Sequence, residues 1–276
     1  MMSFKNNTNA DFFDDGNRFI LGTAQFPSLQ ILLKAIQTSQ TKIITLSLSR
    51  EQQRGNDKNL FWETLKKTNC QLLPNTAGCH NAKQAVTMAN MAREIFETNW
   101  IKLEVIGDAY NLQPDPIELI KAVRILVEQN FKIWAYTTDD LVICRRLYDM
   151  GCFAIMPWGA PIGSGQGLLN ESNLIQLRER LADAVLIVDA GIGTPSHAAR
   201  VMEIGFDAVL INSAIARALQ PTLMAAAFSD AIKAGRKGFE AGLIFSQNLA
   251  RASTPLIDTP FWHETNRCDQ KNQLVE

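Results

Sequence analysis

Cysteine and histidine are scarce in this 276-residue chain, and neither has the spacing of metal ligands. The five cysteines are odd in number and form no CxxC pair, which argues against a disulfide framework and is typical of a reducing compartment. The three histidines, His80, His197 and His263, lie far apart in the sequence. We therefore expect a cytoplasmic protein that has no metal site and needs no cofactor.

Excess charge and long apolar runs are also lacking. The 27 basic and 28 acidic residues leave a net charge of −1, so the chain has no basic footprint for nucleic acid or for an anionic membrane. No apolar run reaches membrane-spanning length, and residues 1–16 are too polar and acidic for a secretory signal. Apolar residues nevertheless make up 46% of the chain, which predicts a globular protein with a sizeable core.

Short β-rich runs recur along the sequence, and helical patterns separate most of them. The predicted strands are 18–22, 43–49, 71–75, 101–107, 132–138, 154–159, 185–191 and 208–213. The clearest helices are predicted at 81–96, at 138–151 and at 194–205. This alternation predicts a parallel sheet, and eight βα units predict a closed (β/α)8 TIM barrel of the phosphate-binding type. The alternative is a doubly wound open sheet, although no GxGxxG motif follows the first strand.

We expect the barrel to occupy residues 18–250, between a polar N-terminal arm (1–17) and a C-terminal tail (251–276). Within the barrel, the fourth predicted strand sets Lys102 and Glu104 two residues apart, so both side chains point to the same face. That face is the barrel interior, because the outward face packs on helices and is apolar. A buried ion pair that only fixes strand register is one interpretation. The other is catalysis, in which burial favours a neutral, nucleophilic amine and the carboxylate moves protons.

Three later segments have the composition of a phosphate site. The first, 157–167, has four glycines in its last nine positions, which indicates either a flexible loop or backbone N–H groups arranged around an anion. The second, 188–195, ends a strand in Asp189 and then forms a glycine turn before a capped helix. The third, 211–216, ends the eighth strand. Barrels commonly bind phosphate at the loops after strands seven and eight, and Asp189 sits where barrel catalytic acids sit.

Six ordered strings between residues 18 and 255 together resemble the bacterial and plastid thiazole synthase family. They are LPNTAGC (73–79), NWIKLEVIGD (99–108), YTTDD (136–140), GAPIGSGQG (159–167), VDAGIGTP (188–195) and NSAIA (212–216). The resemblance implies a barrel that condenses 1-deoxy-D-xylulose 5-phosphate, the thiocarboxylate of a sulfur carrier protein and dehydroglycine into thiazole phosphate carboxylate. It also implies a homo-oligomer, with a tetramer suspected, and an enzyme that supplies dehydroglycine.

The resemblance also assigns roles to residues. Lys102 matches the lysine that forms the Schiff base, and Glu104 and Asp189 match the acid/base pair. The positions that match sugar-phosphate contacts are Gly163, Ala190, Gly191, Gly193, Asn212 and Ser213. The chain departs from the family pattern at Gln25, where a lysine is usual, at Ser49 in a pair that is commonly Arg-Arg, at Trp158, and at Ser213 in place of threonine. We expect these departures to affect affinity and carrier docking more than the reaction.

Two further functions are compatible with the sequence. A class I aldolase-like barrel would also use a Schiff-base lysine at position 102. An inactive barrel retained as a scaffold for the sulfur carrier would need no catalytic lysine. The presence of Lys102, Glu104 and Asp189 together argues against this scaffold hypothesis.

Overall fold

The computed structural model describes residues 13, 16–48, 58–244 and 246–250 of the chain. Within them the strands are β1 (Phe19–Gly22), β2 (Ile43–Ser47), β3 (Gln71–Asn75), β4 (Trp100–Leu103), β5 (Lys132–Thr137), β6 (Ala154–Pro157), β7 (Ile187–Asp189) and β8 (Ala208–Ile211). The helices are α1 (Leu29–Ser39), α2 (Lys58–Lys66), α3 (Ala82–Phe96), α4 (Pro116–Glu128), α5 (Leu141–Asp149), α6 (Glu171–Arg180), α7 (Pro195–Ile204), α8 (Ser213–Ala216) and α9 (Pro221–Ala241). None of these helices is long and apolar enough to cross a membrane.

All eight strands belong to one sheet and pair in parallel, in the order β6-β5-β4-β3-β2-β1-β8-β7. The first and last strands in sequence are neighbours, with Ile20 opposite Leu210. A parallel bridge between Ile155 and Leu186 links the two ends of that order, and Ile155 N donates to Val185 O at 2.9 Å. The predicted (β/α)8 TIM barrel is therefore confirmed, and the open-sheet alternative is wrong.

Local sequence explains where several helices begin. Asn81 precedes α3 and its side chain accepts from Gln84 N at 2.9 Å, while Asp140 precedes α5 and accepts from Ile143 N at 2.9 Å. Each such side chain satisfies one of the N–H groups that a helix start leaves free. Thr194 precedes α7 but makes no side-chain cap bond, and its hydroxyl lies 2.9 Å from that of Ser196 instead.

The barrel has two apolar packing regions, one between the sheet and the helices and one in the barrel interior. Alternation along each strand explains them, because residues such as Leu21 and Ile101 face the helices while Ile20 and Trp134 face the interior. Phe13, within the predicted arm, is 1% exposed and packs edge-on against Trp134 with ring centroids 6.4 Å apart. The rest of the predicted arm before residue 16, and the whole of the predicted tail 251–276, lie outside the described residues.

Candidate active site

Lys102 lies inside the barrel between two carboxylates. Its Nζ is 3.0 Å from Glu104 Oε1 and 2.6 Å from Asp189 Oδ2. All three side chains are buried, with 8% or less of each exposed. Lys102 and Glu104 therefore point inward, as predicted. The fold also brings Asp189, at the end of β7, into contact with Lys102.

Glu104 is held by a side chain rather than by the sheet. The predicted strand 101–107 is too long, since β4 ends at Leu103. Beyond that point Thr76 makes the hydrogen bonds that a neighbouring strand would otherwise make. Its hydroxyl accepts from Glu104 N at 2.8 Å and donates to Glu104 O at 2.7 Å. The backbone N–H of Thr76 donates to Lys102 O at 3.1 Å. This bracing keeps the backbone extended, so Glu104 stays on the same face as Lys102.

The charges in this cluster reverse one expectation from the sequence. Burial lowers the pKa of Lys102, as expected, but Asp189 and Glu104 raise it by more, so the net shift is upward. The inference that burial alone favours a neutral amine is therefore wrong for the site without substrate. Burial raises the pKa of Asp189 against the opposing effect of Lys102, and Glu104 raises it further. Two carboxylates share one ammonium, so the cluster has a surplus negative charge and Asp189 has a raised affinity for a proton.

Tyr136, on β5, is a contact that the analysis of single segments missed. Its ring centroid lies 5.6 Å from Lys102 Nζ, within the range of a cation–π interaction. The side chain is fully buried, and its hydroxyl has no hydrogen-bond partner within the described part of the chain. Burial raises the pKa of Tyr136 well above its ordinary value, and the charges of Asp189 and Glu104 add to the shift.

The cluster opens on a cavity of about 240 Å³ at the carboxyl ends of the strands. All nine site residues predicted from the sequence line it, namely Lys102, Glu104, Gly163, Asp189, Ala190, Gly191, Gly193, Asn212 and Ser213. Thr45, Ser47, Asn75 and Arg217 line it as well and were not predicted. Thr45 and Ser47 alternate along β2, so their spacing carried a signal. Arg217 follows α8 and gave none.

The two glycine-rich loops lie against each other at one side of this cavity. Gly167 N donates to Gly191 O at 2.8 Å, and Gly159 N donates to Ala190 O at 3.2 Å. Any Cβ on Gly191 would stand 2.3 Å from Ala160 N, and one on Gly193 would stand 2.3 Å from Gly165 O. Backbone contact thus requires glycine at 191 and 193, and these contacts favour an ordered 157–167 loop that packs against the second loop.

Not every predicted anion-binding N–H group is available. Gly193 N donates to His197 Nδ1 at 3.2 Å, so this amide is engaged by the first turn of α7. Asn212 also has a bracing role: with the amide orientation that satisfies its neighbours, its side-chain N donates to Ala24 O at 2.8 Å and to Gly22 O at 3.1 Å. Gly193 N and the Asn212 side chain are therefore engaged within the protein, although both residues line the cavity.

The departures from the family pattern have clear structural settings. Gln25 accepts a hydrogen bond from Arg217 Nε at 2.9 Å, and Trp158 donates to Asp139 Oδ1 at 3.0 Å, where it lines no part of the cavity. Ser49 lies outside the described residues.

Burial raises the pKa of the Cys79 thiol to about 11, with a further contribution from Glu104. No group of three or more metal-ligating side chains occurs among the described residues.

These features define a (β/α)8 barrel enzyme with a buried lysine, paired carboxylates and interlocked glycine loops at one cavity. The family model described as "Thiazole biosynthesis protein ThiG" matches residues 13–255. A thiazole synthase of Coxiella burnetii (strain Dugway 5J108-111) is 54% identical over 245 residues, which are 89% of this chain and 94% of that protein. A thiazole synthase of Burkholderia pseudomallei (strain 1710b) is 52% identical over 248 residues, 90% of this chain and 92% of that protein. The chain belongs to the thiazole synthase family.

Among solved structures, a chain of the Amycolatopsis orientalis BexX/CysO complex has the same fold. Its TM-score is 0.76, with 24% sequence identity, over 84% of this chain and 95% of that chain. At this identity the similarity supports the barrel architecture alone.

Proposed function

We propose that this enzyme condenses 1-deoxy-D-xylulose 5-phosphate, a sulfur carrier thiocarboxylate and dehydroglycine into thiazole phosphate carboxylate through a Schiff base on Lys102. The observation that carries the proposal is the position of Lys102 Nζ, 2.6 Å from Asp189 and 3.0 Å from Glu104 at the wall of a small cavity. Imine formation needs an amine, a ketone and groups that move protons, and this contact supplies all but the ketone.

Asp189 has the properties of the first proton acceptor. The resting lysine is an ammonium, so it must lose a proton before it attacks the ketone carbon. Burial and Glu104 raise the proton affinity of Asp189, whose Oδ2 is the nearer carboxylate oxygen. Transfer of the proton to Asp189 leaves the net charge of the site unchanged and gives a neutral amine beside a neutral acid, the forms that burial favours. The protonated acid can then donate to the oxygen that leaves as water.

Glu104 serves as the second acid/base group in this proposal. After the imine forms, its tautomerisation moves carbonyl character to the neighbouring carbon and needs a base within hydrogen-bond reach of the chain. Glu104 reaches the nitrogen from the other side of Lys102, and Thr76 fixes its backbone. Sulfur arrives already activated on the carrier, so the reaction needs no cysteine nucleophile. Cys79, buried and with a raised pKa, is accordingly a core residue.

The phosphate of the substrate belongs at the loop end of the cavity. Gly163, Ala190, Gly191 and Ser213 line that end together, and Ala190 (φ 77°) and Gly191 (φ 82°) have left-handed backbone that turns the main chain there. We further propose that the carrier tail enters between the 159–167 loop and the 75–79 loop. A chain of the BexX/CysO complex has the same fold. A homo-oligomer and a separate source of dehydroglycine complete the proposal.

Borohydride trapping tests the Schiff base. The wild-type enzyme, incubated with 1-deoxy-D-xylulose 5-phosphate and reduced, should gain one sugar adduct that peptide mass mapping locates at Lys102. Lys102→Arg keeps the positive charge but cannot form the imine under these conditions, so it should remain unlabelled. Lys132→Arg, at an exposed position on β5, is the matched control and should label like wild type.

The alternatives give different results. An aldolase-like barrel would also be trapped, but it would not consume carrier thiocarboxylate and dehydroglycine to release thiazole phosphate carboxylate. A scaffold would give no adduct with any sugar phosphate. Thiazole formation by Lys102→Arg at the wild-type rate would refute the assignment of the nucleophile.

A further inference from the structure

Arg217 is a cavity residue that neither the sequence nor the proposed chemistry uses. It directly follows α8, and its N–H donates to Ser213 O at 3.0 Å. Among the residues that the structure describes, four ionisable residues line the cavity, and Lys102 is the only other cation of these four. Lys102 is already paired with two carboxylates. Within the described ranges, Arg217 is therefore the single lining cation whose charge is available to a ligand.

The guanidinium of Arg217 lies beside the space that the missing side chain of Gly163 leaves open. A Cβ on Gly163, which has φ +74°, would meet Ser213 Oγ at 3.7 Å and Arg217 Nη1 at 3.9 Å. The missing side chain thus leaves an open space flanked by a hydroxyl and a guanidinium. Both are donors to an anionic oxygen, and the guanidinium fork suits a phosphate that accepts two parallel hydrogen bonds.

Gln25 holds the guanidinium in this position. Its Oε1 accepts from Arg217 Nε at 2.9 Å across 192 residues of sequence. Gln25 itself has φ 68°, a left-handed conformation that is uncommon for residues other than glycine and that accumulates at ligand sites. Within the described part of the chain, the terminal amino groups of Arg217 have neither a hydrogen-bond acceptor nor an ion-pair partner. The fork is fixed at one nitrogen and free at the other two.

Electrostatics favour a cation at this end of the cavity. The lysine cluster carries surplus negative charge, so an incoming phosphate dianion is repelled by Glu104 and Asp189 unless a positive group lies nearer to it. From these contacts we propose that Arg217, positioned by Gln25, binds the substrate phosphate and makes the enzyme select phosphorylated over unphosphorylated ketose. The proposal rests on the proposed function for the identity of the ketose, but it concerns binding and not the imine.

Isothermal titration calorimetry tests the proposal independently of the chemistry. We would measure the Kd of 1-deoxy-D-xylulose 5-phosphate and of unphosphorylated 1-deoxy-D-xylulose for the wild type and Arg217→Gln. Arg217→Gln should weaken binding of the phosphorylated ketose by about tenfold, the size of one charge-assisted contact at an exposed position, and leave the other ketose unchanged. Arg124→Gln, exposed on α4, is the control and should change neither.

A charge relocation separates direct binding from a structural role. Gln25→Lys combined with Arg217→Gln places an ammonium at the position from which Gln25 now reaches Arg217. This double variant should recover binding to within about threefold of wild type, because one cation then faces the phosphate again. A structural role for Arg217 would not be rescued by this change. Raised salt should also reduce the wild-type preference, since the cation is exposed.

The outcomes are distinguishable from those of the Schiff-base test. Equal weakening for both ketoses, or no weakening in Arg217→Gln, overturns the role of Arg217 even if Lys102 is trapped by borohydride. Failure of the wild type to prefer the phosphorylated ketose overturns it as well. Selective weakening with rescue supports it even if no adduct forms on Lys102, in which case the proposed function fails and the phosphate site stands.

Discussion

The two ends of the barrel interior are built from the same strands and have opposite chemistry. At the amino end, the inward side chains are apolar: Ile20, Ile43, Leu73 and Trp134 pack with Phe13. Trp134 also stacks on Phe153 with ring centroids 5.4 Å apart. At the carboxyl end, the inward residues are Lys102, Glu104 and Asp189 around one ion cluster.

A step of two residues along a strand separates the two environments. On β7 the interior residue changes from Ile187 to Asp189, and on β4 and its extension it changes from Trp100 to Lys102 and then Glu104. Ile187, Lys102, Glu104 and Asp189 are all buried, and Trp100 is partly buried, so the polar end is not the more exposed one. Buried apolar groups stabilise the fold, whereas buried charges are costly to desolvate and are retained for chemistry. We therefore expect substitutions at the two ends to separate activity from stability.

The carboxylates should show the largest effect, and on activity alone. Glu104→Gln and Asp189→Asn should each lower kcat by about 10²- to 10⁴-fold, because each removes an acid/base group without changing its shape. The free energy of unfolding should stay the same or rise, since either change removes the surplus negative charge of the cluster. Steady-state kinetics and urea unfolding would measure both quantities. A drop in stability as large as that of a core truncation would contradict the division between the two ends.

Loss of the ammonium should instead destabilise the protein, and in a pH-dependent way. Lys102→Met leaves two buried carboxylates with no cation, which costs about 3–5 kcal/mol. The pKa of Asp189 is already raised above its ordinary 3.8, and without Lys102 it should rise further. The folded state then binds more protons than the unfolded state between 3.8 and the raised value, so stability falls as pH increases through this window. Unfolding at pH 5 and pH 8 should show the larger deficit at pH 8.

A double variant is the control for the charge argument. Lys102→Met with Asp189→Asn leaves a single carboxylate, so most of the pH 8 deficit should disappear. If the deficit of Lys102→Met is the same at both pH values, its cause is packing and the electrostatic account of the cluster is wrong.

The sequence predicted the parts of this site that lie within one strand or one loop. Two-residue alternation placed Lys102 and Glu104 on the same face, and the position of Asp189 at a strand end placed it at the barrel mouth. The sign of the Lys102 pKa shift was out of reach, because it depends on the 2.6 Å contact with Asp189 from a distant strand. The contact of Arg217 with Gln25 was missed for the same reason. The apolar periodicity also predicted a strand that continues past the end of β4. At Glu104 the hydroxyl of Thr76, and not a strand carbonyl, accepts the backbone N–H.

The apolar end should respond in the opposite sense. Phe13→Ala removes a ring that is 1% exposed and that packs on Trp134, and it should lower the free energy of unfolding by about 3 kcal/mol. The kcat per folded molecule should stay at the wild-type value, since Phe13 belongs to the interior apolar cluster and does not line the cavity. Phe13→Leu, which keeps most of the volume, should lose less than half as much. A large fall in kcat at temperatures where the variant is folded would show that the two ends are coupled.

The smallest effect tests whether the functional end depends on its loops as well as on its strands. His197 Nδ1 accepts from Gly193 N, and its ring lies against Gly167, so one side chain fixes both glycine loops. His197→Ala should raise the KM for the phosphorylated ketose by about fivefold, the equivalent of one net hydrogen bond, with kcat unchanged. His197→Asn offers an acceptor oxygen near the position of Nδ1 and should recover most of this loss. An equal loss in both variants would assign the effect to the volume of the ring, and a fall in kcat would extend the role of these loops to the chemical step.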